Sequence, residues 1–263
     1  MFGWPLRFGK RPEPYAIDRA AAVSHEAHMA SVSDTADAPM RPNVAYSPPQ
    51  EPRLTVLHRD EDILVLAKPA CLLSVPGKKP ELADCLESRA RERFPSAATV
   101  HRLDRDTSGV QVLALNGHAQ RHLGLQFERR KVRKAYVARV WGAVDGDDGV
   151  IDLPLSADWP NRPKQRVDHE HGRAALTGWR VLDRSSLPDG RPATRLALQP
   201  LTGRSHQLRV HLLSLGHPIL GDRLYAHEPA FAAADRLQLH ALSLTLHHPA
   251  DGRLCTFEDQ CPF

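Results

Sequence analysis

A nine-residue stretch, His101-Arg102-Leu103-Asp104-Arg105-Asp106-Thr107-Ser108-Gly109, concentrates the residue types that could do chemistry in this chain. It is followed at once by the apolar run Val110–Leu115, which is typical of a buried strand. A polar loop that leads into a buried strand places its charged groups at the edge of a sheet, where functional residues are common. On residue types alone, the stretch is either a charged surface turn or a site in which a carboxylate does chemistry.

The motif His-Arg-Leu-Asp-x-x-Thr-Ser-Gly resembles that of the pseudouridine synthases, in the branch named after ribosomal large subunit pseudouridine synthase A. The resemblance implies that Asp104 is the catalytic nucleophile and that Arg102 helps hold the target nucleotide out of the stack. Asp106 falls on a variable position and is assigned no chemistry. The resemblance runs from about Leu54 to Phe257. It implies an α+β fold, with a mixed, mostly antiparallel central sheet, flanking helices and a central active-site cleft.

Two later segments agree with this motif. The pattern Lys134-x-Tyr136-x-Ala138 resembles the active-site tyrosine segment of the family, which implies that the Tyr136 ring stacks on the target uracil. A buried core tyrosine is the alternative. In Leu201–His211, Arg209 lies at the flank of a helical stripe of leucines, so it should be partly buried and paired. The resemblance implies that Asp104 is its partner, and an arginine there would favour an ionised carboxylate that burial disfavours.

Basic residues are concentrated beside the central motif. From Arg121 to Arg139 there are seven Lys/Arg against one acid, Glu128. A solvated charged face is the alternative, but the density and the closeness to the motif favour a surface that contacts phosphates. The irregular basic loop Asp158–Gln165 resembles that of the branch's dual-specificity member, which acts on a large-subunit rRNA hairpin and on a tRNA anticodon stem-loop. The predicted RNA-binding residues are Arg102, Arg130, Lys131, Arg133, Lys134, Arg162 and Lys164.

Composition sets the broad class of the protein. The 263 residues carry a formal net charge of +4 and a pI near 9.0, compatible with an RNA partner. The first fifty residues hold five Lys/Arg and five Asp/Glu, so the whole excess lies beyond them. The four cysteines show no C-x-x-C spacing, and neither a signal peptide nor a run of membrane-spanning length occurs. We therefore predict a cytoplasmic monomer that binds RNA and no membrane.

The chain divides into an extension and a catalytic domain. Residues 1–50 are rich in Ala, Pro and Ser and hold at most a short helix near Ile17–Met29, so they predict a flexible extension. Residues 51–263 form the catalytic domain, without the small RNA-binding module that many relatives carry ahead of it. Periodicity predicts helices over Leu82–Phe94, Gly117–Arg130 and Ser205–Gly216. Strands are predicted at Leu54–Leu57, Ile63–Ala67, Val110–Leu115, Lys131–Gly142, Leu176–Leu182, Thr194–Gln199, Leu237–Leu246 and Leu254–Phe257.

The implied reaction needs no metal, nucleotide or other cofactor, because uridine becomes pseudouridine by breaking the N1–C1′ bond, rotating the base and rejoining it through C5. His206 and His211 are five residues apart, which does not place them on one helical face for a metal. The sequence also lacks the glycine-rich nucleotide motifs, the deaminase zinc signature and the G-x-S-x-G elbow.

Two other classes are weighed against this function. A sugar hydrolase could pair Asp104 with Asp106 or Asp84, but it would have no use for the basic stretch. The main alternative is a non-catalytic RNA-binding or RNA-chaperone protein on the same fold. Such a protein would not need an aspartate in its pocket, since a negative charge there repels phosphate.

Overall fold

The computed structural model describes Arg41 and residues 45–263. The possible helix near Ile17–Met29 and most of the predicted extension 1–50 lie outside the described residues. The strands are β1 (Thr55–Arg59), β2 (Ile63–Lys68), β3 (Ala98–Thr99), β4 (Ser108–Ala114), β5 (Arg133–Trp141), β6 (Asp148–Asp152), β7 (Leu155–Ala157), β8 (Gln165–Val167), β9 (Leu176–Ser186), β10 (Pro192–Pro200), β11 (Leu239–His247) and β12 (Leu254–Glu258). The α-helices are α1 (Leu86–Arg93), α2 (Gly117–Glu128), α3 (Gln207–Ser214) and α4 (Glu228–Ala232).

A ten-stranded mixed sheet organises the described part of the chain. Its strands follow the order β1-β2-β4-β11-β5-β10-β9-β6, with β3 beside β4 and β12 beside β11. Strands β4 and β11 pair in parallel through His240 with Ser108 and Ala241 with Gly109, and the other neighbours in this sheet pair antiparallel. The α+β fold with a mixed, mostly antiparallel sheet is therefore confirmed.

Strand β4 is buried on both faces of the sheet, which explains why its residues from Val110 to Ala114 are all apolar except Gln111. Val110 and Val112 pack with Leu123 of α2 on one face, whereas Leu113 packs with Leu86 of α1 on the other. In the other half of the sheet, β5 and β10 pack against the leucines of α3. The cleft opens where these two halves meet, beside the end of α3 that begins at Gln207.

Gly109 is required where β4 crosses β11. Its φ is +114°, and a Cβ at this position would lie 2.2 Å from the carbonyl oxygen of Ala241. Any other residue would push the two strands apart. The last residue of the central motif therefore sets the parallel contact that aligns the motif with β11 and β5.

Two predicted helix boundaries are wrong for local reasons. Helix α1 begins at Leu86 rather than Leu82, because Cys85 and Ser88 cap its first turn reciprocally and a separate 3₁₀ turn occupies Pro80–Leu82. Helix α3 begins at Gln207 rather than Ser205, because His206 adopts a left-handed backbone with φ 53°. The prediction also missed short elements with weak periodicity, which are β3, β6, β7, β8 and α4.

Contacts with the domain begin before residue 51. The Arg41 guanidinium lies 3.9 Å from the ring centre of Phe231 and 2.9 Å from the carboxylate of Glu228. The Tyr46 hydroxyl donates to the carbonyl of Asp84 and accepts from the N–H of Leu73. These side chains therefore pack on the catalytic domain. Within the described part of the chain, no helix has both the length and the apolarity to cross a membrane.

Candidate active site

The central motif forms the loop that leads into β4. Two buried side chains, Lys68 and Ser74, bind the backbone of this loop through hydrogen bonds. The Lys68 ammonium donates to the carbonyls of Pro69, Leu72 and Arg105 at 2.8, 2.7 and 2.9 Å. The Leu103 N–H donates to Ser74 Oγ at 3.0 Å. Burial lowers the pKa of Lys68 to about 7, although Asp106 and Asp104 oppose this shift. These bonds fix the backbone on both sides of Asp104.

His101, the first residue of the motif, supports the loop as a neutral ring. Its Nε2 accepts the Val112 N–H at 3.1 Å, and its ring stacks on Phe127 with the ring centres 4.5 Å apart. Burial, assisted by the charge of Lys134, lowers the pKa of His101 to about 3. The imidazole therefore holds β4 against α2 and carries no charge at neutral pH.

Asp104 lies in a cleft of about 550 Å³, within the range of roughly 300–1,000 Å³ that is usual for ligand sites. Its side chain is 26% exposed, and its Oδ2 lies 3.6 Å from Nη1 of the buried Arg209. The same oxygen is 3.9 Å from Nε2 of His206. The structure therefore brings Asp104 and Arg209 together, as the sequence predicts.

Arg209 has a second and closer partner that the sequence analysis missed. Its Nε and Nη2 donate to the two carboxylate oxygens of Asp222 at 2.8 and 2.6 Å, and both side chains are buried. Asp222 also accepts the N–H groups of Leu224 and Tyr225. Burial alone lowers the pKa of Arg209, but Asp222 and Asp104 outweigh it and raise the pKa. The fork of Arg209 is therefore fixed by Asp222, which leaves Nη1 directed at Asp104.

Asp222 follows a glycine whose backbone position admits no side chain. Gly221 has φ +70°, and an added Cβ would lie 2.0 Å from the carbonyl oxygen of Arg236. The Gly-Asp pair shortly after Pro218 was the available sequence signal. Without knowledge of the fold, however, nothing in the spacing connects Asp222 with Arg209.

Tyr136 of β5 lines the cleft with Asp104 and Arg209. It also packs against the core cluster that includes Ala138 and Leu208, so this residue belongs both to the core and to the wall of the cleft. Burial, with the negative charge of Asp104, raises the pKa of Tyr136. Its hydroxyl therefore stays protonated at neutral pH, and the ring is available as an apolar face.

The predicted cations divide into three groups. Arg102, Arg130 and Lys134 line the cleft, whereas Lys131 and Arg133 are exposed and lie outside the cleft lining of the described residues. Arg162 and Lys164 belong to the loop between β7 and β8, also away from that lining.

Two further cleft cations, Arg173 and Arg204, were not predicted. Arg173 lies outside the segments that the resemblance covers by motif, and in Leu201–His211 the resemblance assigns a role to Arg209 and not to Arg204. Burial lowers the pKa of Arg204, and the like charges of Arg173 and Arg130 lower it further. Three guanidinium groups that repel one another in this way are suited to bind an anion.

The loop between β7 and β8 presents an exposed aromatic ring. Trp159 is 70% exposed, and the Arg162 guanidinium lies 4.2 Å from its ring centre. At the base of the loop, the Gln165 N–H donates to the hydroxyl of Tyr225 at 2.8 Å. The loop is therefore anchored to the segment that also holds Asp222.

The other carboxylates considered for chemistry are engaged elsewhere. Asp106 accepts two hydrogen bonds from Arg105, at 2.7 and 3.1 Å, and Asp84 accepts two from Arg89, each at 2.7 Å. Neither lines the cleft with Asp104. This arrangement disfavours the sugar hydrolase with paired carboxylates.

One group of side chains among the described residues has metal-ligand spacing, and it lies outside the cleft. Asp60, Asp62 and His248 bring their ligand atoms within 4.8 Å of one another. The Asp60 carboxylate is already used by His58 and His248, at 2.8 and 2.9 Å, and by backbone N–H groups. Hydrogen bonding alone accounts for this cluster.

The fold and the cleft define the class of protein. The model of the RNA pseudouridylate synthase family matches residues 62–214, which include the central motif, Tyr136 and Arg209. The chain belongs to this family and is an RNA pseudouridine synthase, an enzyme that isomerises uridine to pseudouridine in RNA.

Individual relatives show which members of the family the chain is similar to. The chain is 51% identical to the dual-specificity RNA pseudouridine synthase RluA of Salmonella typhimurium, over 83% of this chain and 98% of the relative. The enzyme of the same name from Escherichia coli K12 gives the same values. Among solved structures, human RNA pseudouridylate synthase domain containing 1 has a TM-score of 0.67 at 30% identity, covering 85% of this chain and 87% of the human one.

Proposed function

We propose that Asp104 is the carboxylate that carries out the isomerisation and that Arg209 holds it in position. The observation that carries this assignment is the position of Asp104 in the cleft, 3.6 Å from a guanidinium that Asp222 holds in place. An ionised carboxylate could attack the sugar carbon, add to the base or remove a sugar proton. In each case the N1–C1′ bond breaks, a C5–C1′ bond forms, and the proton lost from C5 is balanced by one gained at N1.

Tyr136 and Arg102 are proposed to hold the target nucleotide. A base must leave its stack to reach Asp104, which costs a few kcal/mol. Stacking on the ring of Tyr136 would offset about 1–3 kcal/mol of that cost. Arg102 is exposed and lines the cleft, where it can help hold the target nucleotide out of the stack.

The remaining cations are proposed to contact phosphates. Arg130, Lys134, Arg173 and Arg204 line the cleft, so they would contact phosphates beside the target nucleotide. Lys131 and Arg133 would extend this track outside the cleft. A cluster of arginines with neighbours of like charge is the physical support for this assignment.

We further propose a dual target, a large-subunit rRNA hairpin and a tRNA anticodon stem-loop. The named similarity to dual-specificity synthases supports it, and so does the exposed pair of Trp159 and Arg162, which can stack on or contact a loop base. We place the enzyme in the cytoplasm, as a monomer that uses no cofactor.

The test of Asp104 is turnover by the Asp104→Asn variant. Its amide can neither attack carbon nor take up a proton as a carboxylate does, so pseudouridine formation should be abolished while RNA affinity stays near that of the wild type. Asp106→Asn is the matched control and should remain active. Substantial turnover by Asp104→Asn would overturn the assignment. Pseudouridine mapping of rRNA and tRNA in cells lacking the protein tests the dual target, and loss confined to one RNA would contradict it.

A further inference from the structure

A histidine, His206, faces Asp104 and has no role in the chemistry proposed above. His206 Nε2 lies 3.9 Å from Asp104 Oδ2, and the side chain is only 13% exposed. Burial lowers the pKa of His206, while the charge of Asp104 opposes this shift. The imidazole is therefore neutral at neutral pH, so its function depends on which ring nitrogen carries the hydrogen.

The hydroxyl of Tyr225 determines that position. Its oxygen accepts the Gln165 N–H at 2.8 Å and lies 2.7 Å from His206 Nδ1. Burial raises the pKa of Tyr225, so the hydroxyl keeps its proton. That proton is available to donate to Nδ1, and a neutral imidazole that accepts at Nδ1 carries its hydrogen on Nε2. The other tautomer would place the Nε2 lone pair against the Asp104 carboxylate.

The negative charge of Asp104 on the Nε2 side of His206 supports the same tautomer. Carboxylates reach it from the motif loop and from the segment after α3, and one guanidinium reaches it from α3. Two rings, His206 and Tyr225, meet edge to face with centres 5.6 Å apart. The charged and titratable groups that face His206 are Asp104, Asp106, Arg209, Asp222 and Tyr225.

We propose that His206 is a positioning residue that donates its Nε2–H to the Asp104 carboxylate when RNA is bound, with Tyr225 fixing the tautomer. The proposal rests on the proposed role of Asp104. The present separation of 3.9 Å is longer than a hydrogen bond, and catalytic hydrogen bonds often shorten only in the complex. Together, Arg209 and His206 would orient the same carboxylate oxygen from two directions.

One consequence is a connection between target recognition and the catalytic aspartate. Gln165 is the first residue of β8 and closes the loop that carries Trp159. Its N–H bonds to the same hydroxyl that sets the tautomer of His206. An RNA that moves this loop would therefore act on the hydrogen bond to Asp104.

Two substitutions of His206 separate this role from a structural one. In His206→Gln, the terminal amide can occupy the position of Nε2 and donate to Asp104, but it does not titrate. In His206→Asn, the amide overlays Nδ1, so it can meet Tyr225 but cannot reach Asp104. Position 206 has φ 53°, a conformation that Asn adopts readily. The backbone therefore favours His206→Asn, whereas the proposal favours His206→Gln.

The measurements are the single-turnover rate constant from pH 6 to 8.5 and the RNA dissociation constant, on the full chain with an anticodon stem-loop. We expect His206→Gln to keep its rate constant within about three-fold of the wild type. His206→Asn should lose roughly ten-fold or more across this pH range, with the dissociation constant unchanged. Equal rate constants for the two variants would overturn the proposal.

A measurement on the unsubstituted protein covers the case in which neither variant folds. Nitrogen-15 NMR of labelled histidines reports the tautomer of each ring, and His206 should carry its hydrogen on Nε2 near pH 7.5. An Nδ1–H tautomer would overturn the proposal. Turnover by Asp104→Asn would instead refute the proposed function, so the two failures are distinguishable.

Discussion

The buried pair of Arg209 and Asp222 gives a quantitative test of how the site is built. In Asp222→Asn, the shape of the side chain is kept, but the Arg209 guanidinium loses its charged partner and an amide NH₂ faces one of its nitrogens. Both side chains are at most 3% exposed. Removing one partner of a buried ion pair costs about 3–5 kcal/mol, because the remaining charge loses its closest partner. Asp104 stays 3.6 Å from Arg209 and compensates its charge only in part.

This loss should appear in the melting temperature and in the rate. For a domain of this size, each kcal/mol corresponds to about 2–4 °C, so Asp222→Asn should melt roughly 6–20 °C below the wild type. Nη1 of Arg209 would no longer be fixed toward Asp104, and the single-turnover rate constant at saturating RNA should fall at least about ten-fold.

The control is an exposed pair of the same chemistry. Asp189 and Arg191 form an ion pair at the surface, in which Nε and Nη2 of Arg191 donate to the same carboxylate oxygen of Asp189. Asp189→Asn should leave the melting temperature unchanged. The double substitution Arg209→Met with Asp222→Asn removes both charges and keeps a side-chain oxygen for the N–H groups of Leu224 and Tyr225. It should be inactive yet more stable than Asp222→Asn alone. An unfolding free energy of Asp222→Asn within about 1 kcal/mol of the wild type would refute the reasoning.

Three further results are expected. Tyr136→Phe should bind RNA as the wild type does, whereas Tyr136→Ala should bind roughly 5- to 150-fold more weakly, and equal affinities in a binding titration would mean that the ring does not stack. Arg204→Gln should reduce the magnitude of the slope of log K for RNA binding against log salt by roughly 0.7. Lys131→Gln should reduce it by less than half as much, because Lys131 lies outside the cleft lining. A larger effect of Lys131→Gln would mean that the main phosphate contacts lie outside the cleft. Because burial lowers the pKa of His101 to about 3 from 6.5, the unfolded chain binds more protons than the folded one between these values. The unfolding free energy should therefore fall by up to about 1.4 kcal/mol per pH unit as the pH drops from 6.5 toward 3. His101→Gln should flatten this dependence in denaturant titrations at several pH values, and an unchanged slope would contradict the assignment.

Predictions from the sequence are correct for segments that carry a family motif or a clear hydrophobic period. The family resemblance predicted that Asp104 and Arg209 lie together, because each is in a segment that matches a family motif. The long strands and helices follow their hydrophobic periodicity. Short elements such as β7 and β8 have three residues each, too few for a period to be read. The start of α3 was misplaced because the left-handed backbone of His206 has no signature in residue type beyond a weak preference.

The sequence does not show which groups hold the reactive side chains in place. Arg102 and Asp104 lie in one loop. The charged groups that fix this loop and the aspartate's partner Arg209 come from β2, from α3 and from the turn after α3. Tyr225 is 60 residues from Gln165, and Lys68 is 37 residues from Arg105. Such pairs depend on which strands become neighbours, and that is decided by the whole sheet rather than by any one segment.

The buried charges explain why the site needs this particular sheet. Lys68, Arg209 and Asp222 are each at most 2% exposed, and a buried charge without a partner costs several kcal/mol. Each is therefore bonded by groups from more than one segment: carbonyls for Lys68, a carboxylate for Arg209, and backbone N–H groups in addition for Asp222. A small shift between the two halves of the sheet would break several of these bonds at once. The parallel contact of Gly109 with Ala241 lies at that junction. The glycine that ends the motif therefore keeps the two halves of the sheet in the positions that the contacts of Asp104 require.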